Sequence, residues 1–278
     1  MSNQLSNIEI QQFLSDAHAE FQSQGFLLDK AVRMKTGTKG EIINFPVFGI
    51  GVANQKAPQD LVTPLNISSR NVPLTIEDWY APEYVDRSFI NKIAVNATQE
   101  YSSLCAQALG RRSDQLVIDV LTGANYGGGA QQGNSVAAGG TGFTYDKFTD
   151  GFKFLRQKAA AKGENFLVMN AEGEQNLLQE IQLTNNLYMP QQALAGNGLD
   201  GMPIMNVRCI VMPDMQEGGI PAGKAYMFNK QAIGYAANER LDGSIDWVAD
   251  RASFLINMWL EAGAVAVDQT GMVEINYV

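Results

Sequence analysis

The sequence predicts an α+β protein in which antiparallel sheets are combined with a few helices. Three observations carry this: a long extended stretch punctuated by prolines, one overlong helical pattern behind it, and a C-terminal region of short apolar runs separated by turn residues. At 278 residues with 45% hydrophobic content, the chain can bury a full core in one or two domains.

Residues 8–22 place Ile8, Phe13, Ala17 and Phe21 on an approximate helical stripe, which predicts a peripheral N-terminal helix stopped by Gly25. From Met34 to Ile76 the chain is rich in Val, Ile, Thr and Phe and is interrupted by Pro46, Pro58, Pro64 and Pro73, which excludes helix. Strand-like runs at 41–48 and 72–77 flank a polar stretch with Gly49, Gly51 and Pro58, so a long hairpin is expected with its tip between them. Proline cannot donate to a sheet ladder, so this ribbon is not a central strand. Its open edges need partners on a sheet edge or a neighbour.

After Pro82, either Asp86 or Ser88 caps a helix that runs to Gly123, with Ile90, Ile93, Ala97, Tyr101, Leu104, Ala108 and Leu116 near one face. Such a helix would be about 50 Å long, beyond the span of most single-domain cores. Gly110 and Ser113, around Arg111 and Arg112, weaken its middle and mark the point for a bend. The following GANYGGGAQQGNSVAAGGTGF has no periodicity and reads as an exposed, flexible loop. Residues 144–162 form a second helix capped by Thr144 and stopped by Gly163, FLVM at 166–169 a buried strand, and 171–183 a third helix. Thereafter MPIMNVRCIVM, KAYMFNK, QAIGYAA, SIDWVA and the closing SFLINMWLEAGAVAVDQTGMVEINYV are mostly strands, with turn chemistry at Asp268–Gly271.

A search for chemistry returns no specific site. The net charge of −9 is spread over both halves without a basic tail or stripe, so specific nucleic-acid binding is not expected, although containing DNA without gripping it is compatible. Cys105 and Cys209 lie far apart without CxxC spacing, and buried free thiols are favoured over a disulfide or metal site. The one histidine, His18, falls on the polar N-terminal segment, which all but excludes histidine-dependent catalysis. GNGLDG at 196–201 matches a GxGxxG pattern, but Pro203 and a strand follow it where a dinucleotide site needs a helix, so a surface turn is favoured. Glu239, Asp242, Asp246 and Asp250 are the densest acidic cluster. A solvated face is favoured there over a divalent-cation or acid/base site. The pair Trp79-Tyr80, together with Trp247 and Trp259, reads as core or interface anchors. No catalytic residue, metal ligand or cofactor is assigned. No stretch approaches the roughly 18 apolar residues of a membrane span, and MSNQLSNIEIQQF is not a signal sequence, so no membrane contact is expected.

The order of elements resembles the major capsid proteins of tailed phages, with the Hong Kong 97 type of fold. INFPVFGIGVANQKAPQDL at 43–61 is similar to the extended loop of short-tailed phage capsids. LTIEDWYAPEYVDRSFINK, leading into QEYSSLCAQALGRRSDQLVIDVL, is similar to their strand and spine helix, and the stretch from NKQAIGYAA to GMVEI is similar to their closing region with its late AGAVAV strand and final hairpin. The resemblance implies an N-terminal arm at 1–33 and an extended loop at 34–80. It implies a peripheral domain at 81–142 and 233–278 with its spine helix at about 88–122, and an axial domain at 143–232. It further implies a non-enzymatic virion protein, made in the host cytoplasm, whose identical copies close as hexamers and pentamers into an icosahedral head around double-stranded DNA. A portal and scaffolding or decoration proteins are the further partners. The loop then lies over a neighbour, with Phe45, Pro46, Phe48, Gln55, Pro58 and Leu61, and Arg111 and Arg112 from the helix, as the expected intersubunit contacts. An encapsulin-like nanocompartment shell is the alternative, and a carboxylate-dependent enzyme built on 239–250 is the competitor of a different class.

Overall fold

The computed structural model describes residues 25–37, 39–87, 97–126, 134–180, 198–214, 217–238 and 242–278. The stretch 8–22 with His18, the start of the expected long helix, and Glu239 lie outside the described residues, as does the side chain of Asp242. In chain order the strands are β1 (Arg33–Thr36), β2 (Ile42–Phe48), β3 (Ser69–Thr75), β4 (Glu77–Asp86), β5 (Ser135–Val136), β6 (Asn165–Met169), β7 (Pro203–Ile204), β8 (Val207–Val211), β9 (Lys224–Asn229), β10 (Ile233–Ala237), β11 (Asp242–Val248), β12 (Ser253–Ala266) and β13 (Met272–Asn276). The helices are α1 (Ala97–Gly123), α2 (Tyr145–Gln157) and α3 (Ala171–Leu178).

The strands form two sheets and a separate ribbon. The first sheet is organised by the 14-residue β12. Its Ser253–Trp259 half is flanked by β4 and β11, and β10 follows at Ala262–Ala266, with β1 parallel to β10 at the edge. The second sheet runs β5-β13-β9-β6-β8-β7. Among the described residues β2 and β3 pair only with each other. The strand that the resemblance implies before the long helix is β4, and Pro82 sits within it because β4 is an edge strand whose outer side needs no donor.

One core joins both sheets beneath α1. Leu109, Val117, Ile118 and Leu121 of the helix meet Phe166, Val168, Tyr226 and Phe228 from the second sheet and Ile233, Tyr235, Leu260 and Ala262 from the first. The alternate residues of the second sheet, Leu167, Met169, Met227, Val273 and Ile275, face Phe148, Phe152 and Leu155 of α2 and Leu177 of α3. Helices thus cover both faces of that sheet. This is why β6 reads as an unbroken apolar run and is buried along its whole length. Burial of each such side chain contributes on the order of 2 kcal/mol.

Local chemistry sets the helix ends. Thr144 caps α2 by accepting from the Lys147 N–H, and Asn170 caps α3 by accepting from Gly173 N–H at 2.8 Å. α2 stops at Gln157, short of the expected Gly163, because Ala159 turns into the left-handed region at φ 57°. Asn229 then staples the turn, its Nδ2 donating to Ala160 O at 2.8 Å and Lys162 O at 3.0 Å. α3 ends at Leu178 instead of 183.

Three expectations change. The glycine-rich stretch is not wholly an exposed loop: Ser135–Val136 is a strand parallel to β13, and Phe143 is buried. Lys147 holds the return, donating from Nζ to the carbonyls of Ala138, Thr141 and Gly142 at 2.6, 2.6 and 2.9 Å. The closing stretch is not a hairpin, because β12 and β13 belong to different sheets; Asp268 shapes the crossing by accepting from Thr270 N–H at 3.0 Å. Lastly, Gly110 lies in an unbroken helical run and its role is space. A Cβ there would fall 2.5 Å from Gly25 Cα, so the incoming chain crosses the helix at this point.

Candidate assembly surface

The ribbon is antiparallel from Ile42 opposite Thr75 to Phe48 opposite Ser69, with Pro73 facing Asn44 and Pro46 facing Asn71. Both prolines are accommodated because neither strand has a second partner among the described residues. The base of the ribbon is seated on the first sheet, on the face away from α1. Ile43, Phe45, Leu74 and Ile76 form a small core with Ala236 and Val267. Two glycines make the seat possible: a Cβ on Gly234 would sit 2.8 Å from the Phe45 ring, and one on Gly263 would strike the Thr75 carbonyl oxygen. Lys35 Nζ donates to Asn44 O at 2.7 Å and lies 4.6 Å from the Phe45 ring centre, and Arg70 donates to Val267 O at 3.3 Å.

Beyond the Gly49 N–H to Ser68 O bond the chain leaves its own body. Between 50 and 67 no strand is formed, and Ile50 and Leu61 are 97% and 88% exposed, with Val52, Val62, Leu65 and Ile67 exposed as well. So many large apolar side chains in one short segment form a patch of the kind that marks an interaction surface. A second open area lies on the first sheet beside the ribbon base, where Tyr80 and Tyr84 of β4 are exposed and Arg251 stacks over Tyr84 at 4.3 Å.

The expected contact residues divide accordingly. Pro46, Phe48, Gln55, Pro58 and Leu61 are exposed on the ribbon. Phe45 is a correction: it is 0% exposed, its ring enclosed by the seat over Gly234, so it anchors the ribbon and is not presented to a neighbour. Arg112 is half-buried, its guanidinium 3.7 Å from the Trp79 ring centre and 3.9 Å from Glu217, and Arg111 is also engaged within its own chain.

Sequence reasoning missed Asp114. This carboxylate is 1% exposed on the core side of α1 and accepts the N–H groups of Leu27 and Leu28 at 3.1 and 3.0 Å, clamping the segment that crosses Gly110. Burial outweighs the two hydrogen bonds and, with Asp29 nearby, pushes its pKa up to about 7. The available signal was one acidic residue in register with Val117, Ile118 and Leu121.

Elsewhere, both cysteines are buried free thiols, and burial pushes Cys209 up to about 12. Asp246 accepts from Ser244 Oγ at 2.8 Å, and no group of three or more potential metal ligands forms among the described residues. Among those residues no helix is long and apolar enough to cross a membrane.

Solved structures share this architecture at low identity. The chain is similar to a chain of Mycobacterium phage Che8 (18% identity, TM-score 0.71, 93% of each chain covered). It is similar to the capsid of Ralstonia phage GP4 (12% identity, TM-score 0.74, 95% of this chain and 94% of that one), and to the capsid of a native GTA particle (14% identity, TM-score 0.68, 94% and 92%). The fold is therefore the phage capsid fold of the Hong Kong 97 type. No curated protein sequence matches. A family model described as phage capsid protein matches residues 5–278, and the chain belongs to that family. It is a major capsid protein, a virion component whose identical copies assemble into the head shell.

Proposed function

We propose that this chain closes into pentamers and hexamers that tile an icosahedral head around double-stranded DNA, each copy laying its ribbon across the next. The observation that supports this is the exposed apolar segment between 50 and 67, which no described residue of its own subunit covers, beside a base seated on the first sheet. A neighbour's open sheet face at Tyr80 and Tyr84 offers apolar area of the right kind to receive it. The contact is heterologous, joining two different patches, and its repetition generates closed rings where the rotation between copies closes. Many weak contacts then hold the shell through number.

In this reading the protein has no catalytic role, is made in the host cytoplasm, and meets a portal and scaffolding or decoration proteins in the particle. The net charge of −9 keeps the wall from adhering to the enclosed polyanion. The arm is 1–33, the extended loop 34–80, the peripheral domain 81–142 with 233–278, and the axial domain 143–232. β5 and β13 cross that division by joining the second sheet. Deleting 49–64 is expected to leave a folded subunit, by circular dichroism, that forms no particles in negative-stain microscopy. Normal shells from the deletion would overturn the role of the ribbon.

A further inference from the structure

An acidic chain gathers several of its cations in one place. A cleft of about 360 Å³ lies between the ribbon base and the turn after α2, lined by Arg33, Lys158, Lys162, Gln231 and Thr270, with Asp268 as its acid. Asp268 Oδ1 is already engaged by the Thr270 N–H and hydroxyl, at 3.0 and 2.7 Å. The Lys158 and Lys162 side chains are exposed and have no hydrogen-bond or ion-pair partner among the described residues. The backbone that carries them is nevertheless held in place. The turn that carries them is pinned by buried Asn229 through the Ala160 and Lys162 carbonyls, and it includes Ala159 at φ 57°, a conformation that a side chain disfavours. A stapled turn that places two lysines on the wall of a cleft offers positive charge to an anionic group.

The same molecule carries a complementary surface. At the mouth of the ribbon, where Ile76 N–H donates to Glu41 O at 2.9 Å, the backbone brings Glu41 beside Glu77 and Asp78. All three carboxylates are exposed and unpaired among the described residues, and Lys39 is the nearest cation in sequence. Glu77-Asp78 is the one adjacent acidic pair within the described residues. The cleft is lined by Pro46 and Val47 of the ribbon, and the acidic mouth is where the ribbon's two chain ends meet at Glu41 and Ile76.

We propose that the cleft of Arg33, Lys158 and Lys162 receives the Glu41, Glu77 and Asp78 carboxylates of a second copy of the chain. The inference rests on the shell reading above and deepens it. The apolar ribbon supplies area, whereas this charge pairing fixes the register of one subunit on the next, since a shifted register leaves these charges without partners.

The test is a charge swap on the full chain, read by light scattering and negative-stain microscopy, with circular dichroism melting of each subunit as the folding control. Lys158→Glu/Lys162→Glu and Glu77→Lys/Asp78→Lys are each expected to reduce particle yield at least tenfold with an unchanged melting temperature. Combining all four substitutions is expected to restore yield to within about twofold of wild type. If a reversal lowers the melting temperature, the milder Lys158→Gln/Lys162→Gln replaces it, with a several-fold loss expected. Wild-type yields from either single-side reversal, or folded four-fold variants that still fail, overturn the pairing. Normal shells from Lys158→Glu/Lys162→Glu with reduced DNA content also overturn it, and assign the cleft to the enclosed polyanion. Failure of the shell reading itself looks different, because the unaltered chain would then form no particles.

Discussion

Asp114 holds the root of the arm through two backbone N–H groups, and its protonation is coupled to that grip. Its folded-state pKa of about 7 lies above the ordinary carboxylate value of ~3.9. The folded protein therefore binds the proton more tightly than the unfolded chain does. The contribution of this group is present in full below about pH 4 and is lost as pH rises through about 7. Asp114→Asn removes the titration and leaves one backbone N–H facing an amide. The stability gap between wild type and Asp114→Asn, measured by urea unfolding, is expected to narrow by on the order of 2 kcal/mol from pH 5 to pH 8. A gap that is constant or widens over that range contradicts the assignment.

Among the elements, α1 shows how little of a glycine's meaning lies in its neighbours along the chain. In an exposed helix, replacing glycine by alanine gains up to ~1 kcal/mol. At Gly110 the sign reverses, because the backbone of Gly25 occupies the space. Gly110→Ala is expected to cost about 1–3 kcal/mol in urea unfolding, and any stabilisation would show that the arm root yields freely. The sequence pattern alone supported a bend, since close approach by a residue 85 positions away leaves no local trace. β5 was hidden for the same reason: two residues in a glycine-rich run become a strand only by pairing with Glu274 and Ile275. What was legible was whatever local chemistry decides. The prolines marked the ribbon, Thr144 marked the start of α2, and FLVM marked a strand covered on both faces. The candidate surface was legible as a segment but not as side chains. Phe45 and Phe48 lie three residues apart in one strand, yet the seat over Gly234 buries the first and leaves the second 73% exposed.

At the scale of the molecule, stability and assembly draw on different residues. The ribbon tip contributes little to the fold, so Ile50→Ser/Leu61→Ser/Val62→Ser is expected to leave subunit unfolding within about 0.5 kcal/mol of wild type. The same variant is expected to lose the particle signal in light scattering. A large drop in subunit stability would mean that the tip folds back on its own chain. Selection can therefore tune the shell through the tip and the subunit through the core almost independently.

The single core beneath α1 has a further consequence. Because the helix packs on both sheets at once, swinging one sheet against the other would open a shared core among the described residues. A tile whose two sheets share one core adapts to five-fold and six-fold surroundings at a cost in that core. Curvature is then negotiated most cheaply at the margin, by the free length of the ribbon, and the geometry of the finished head follows its least buried part.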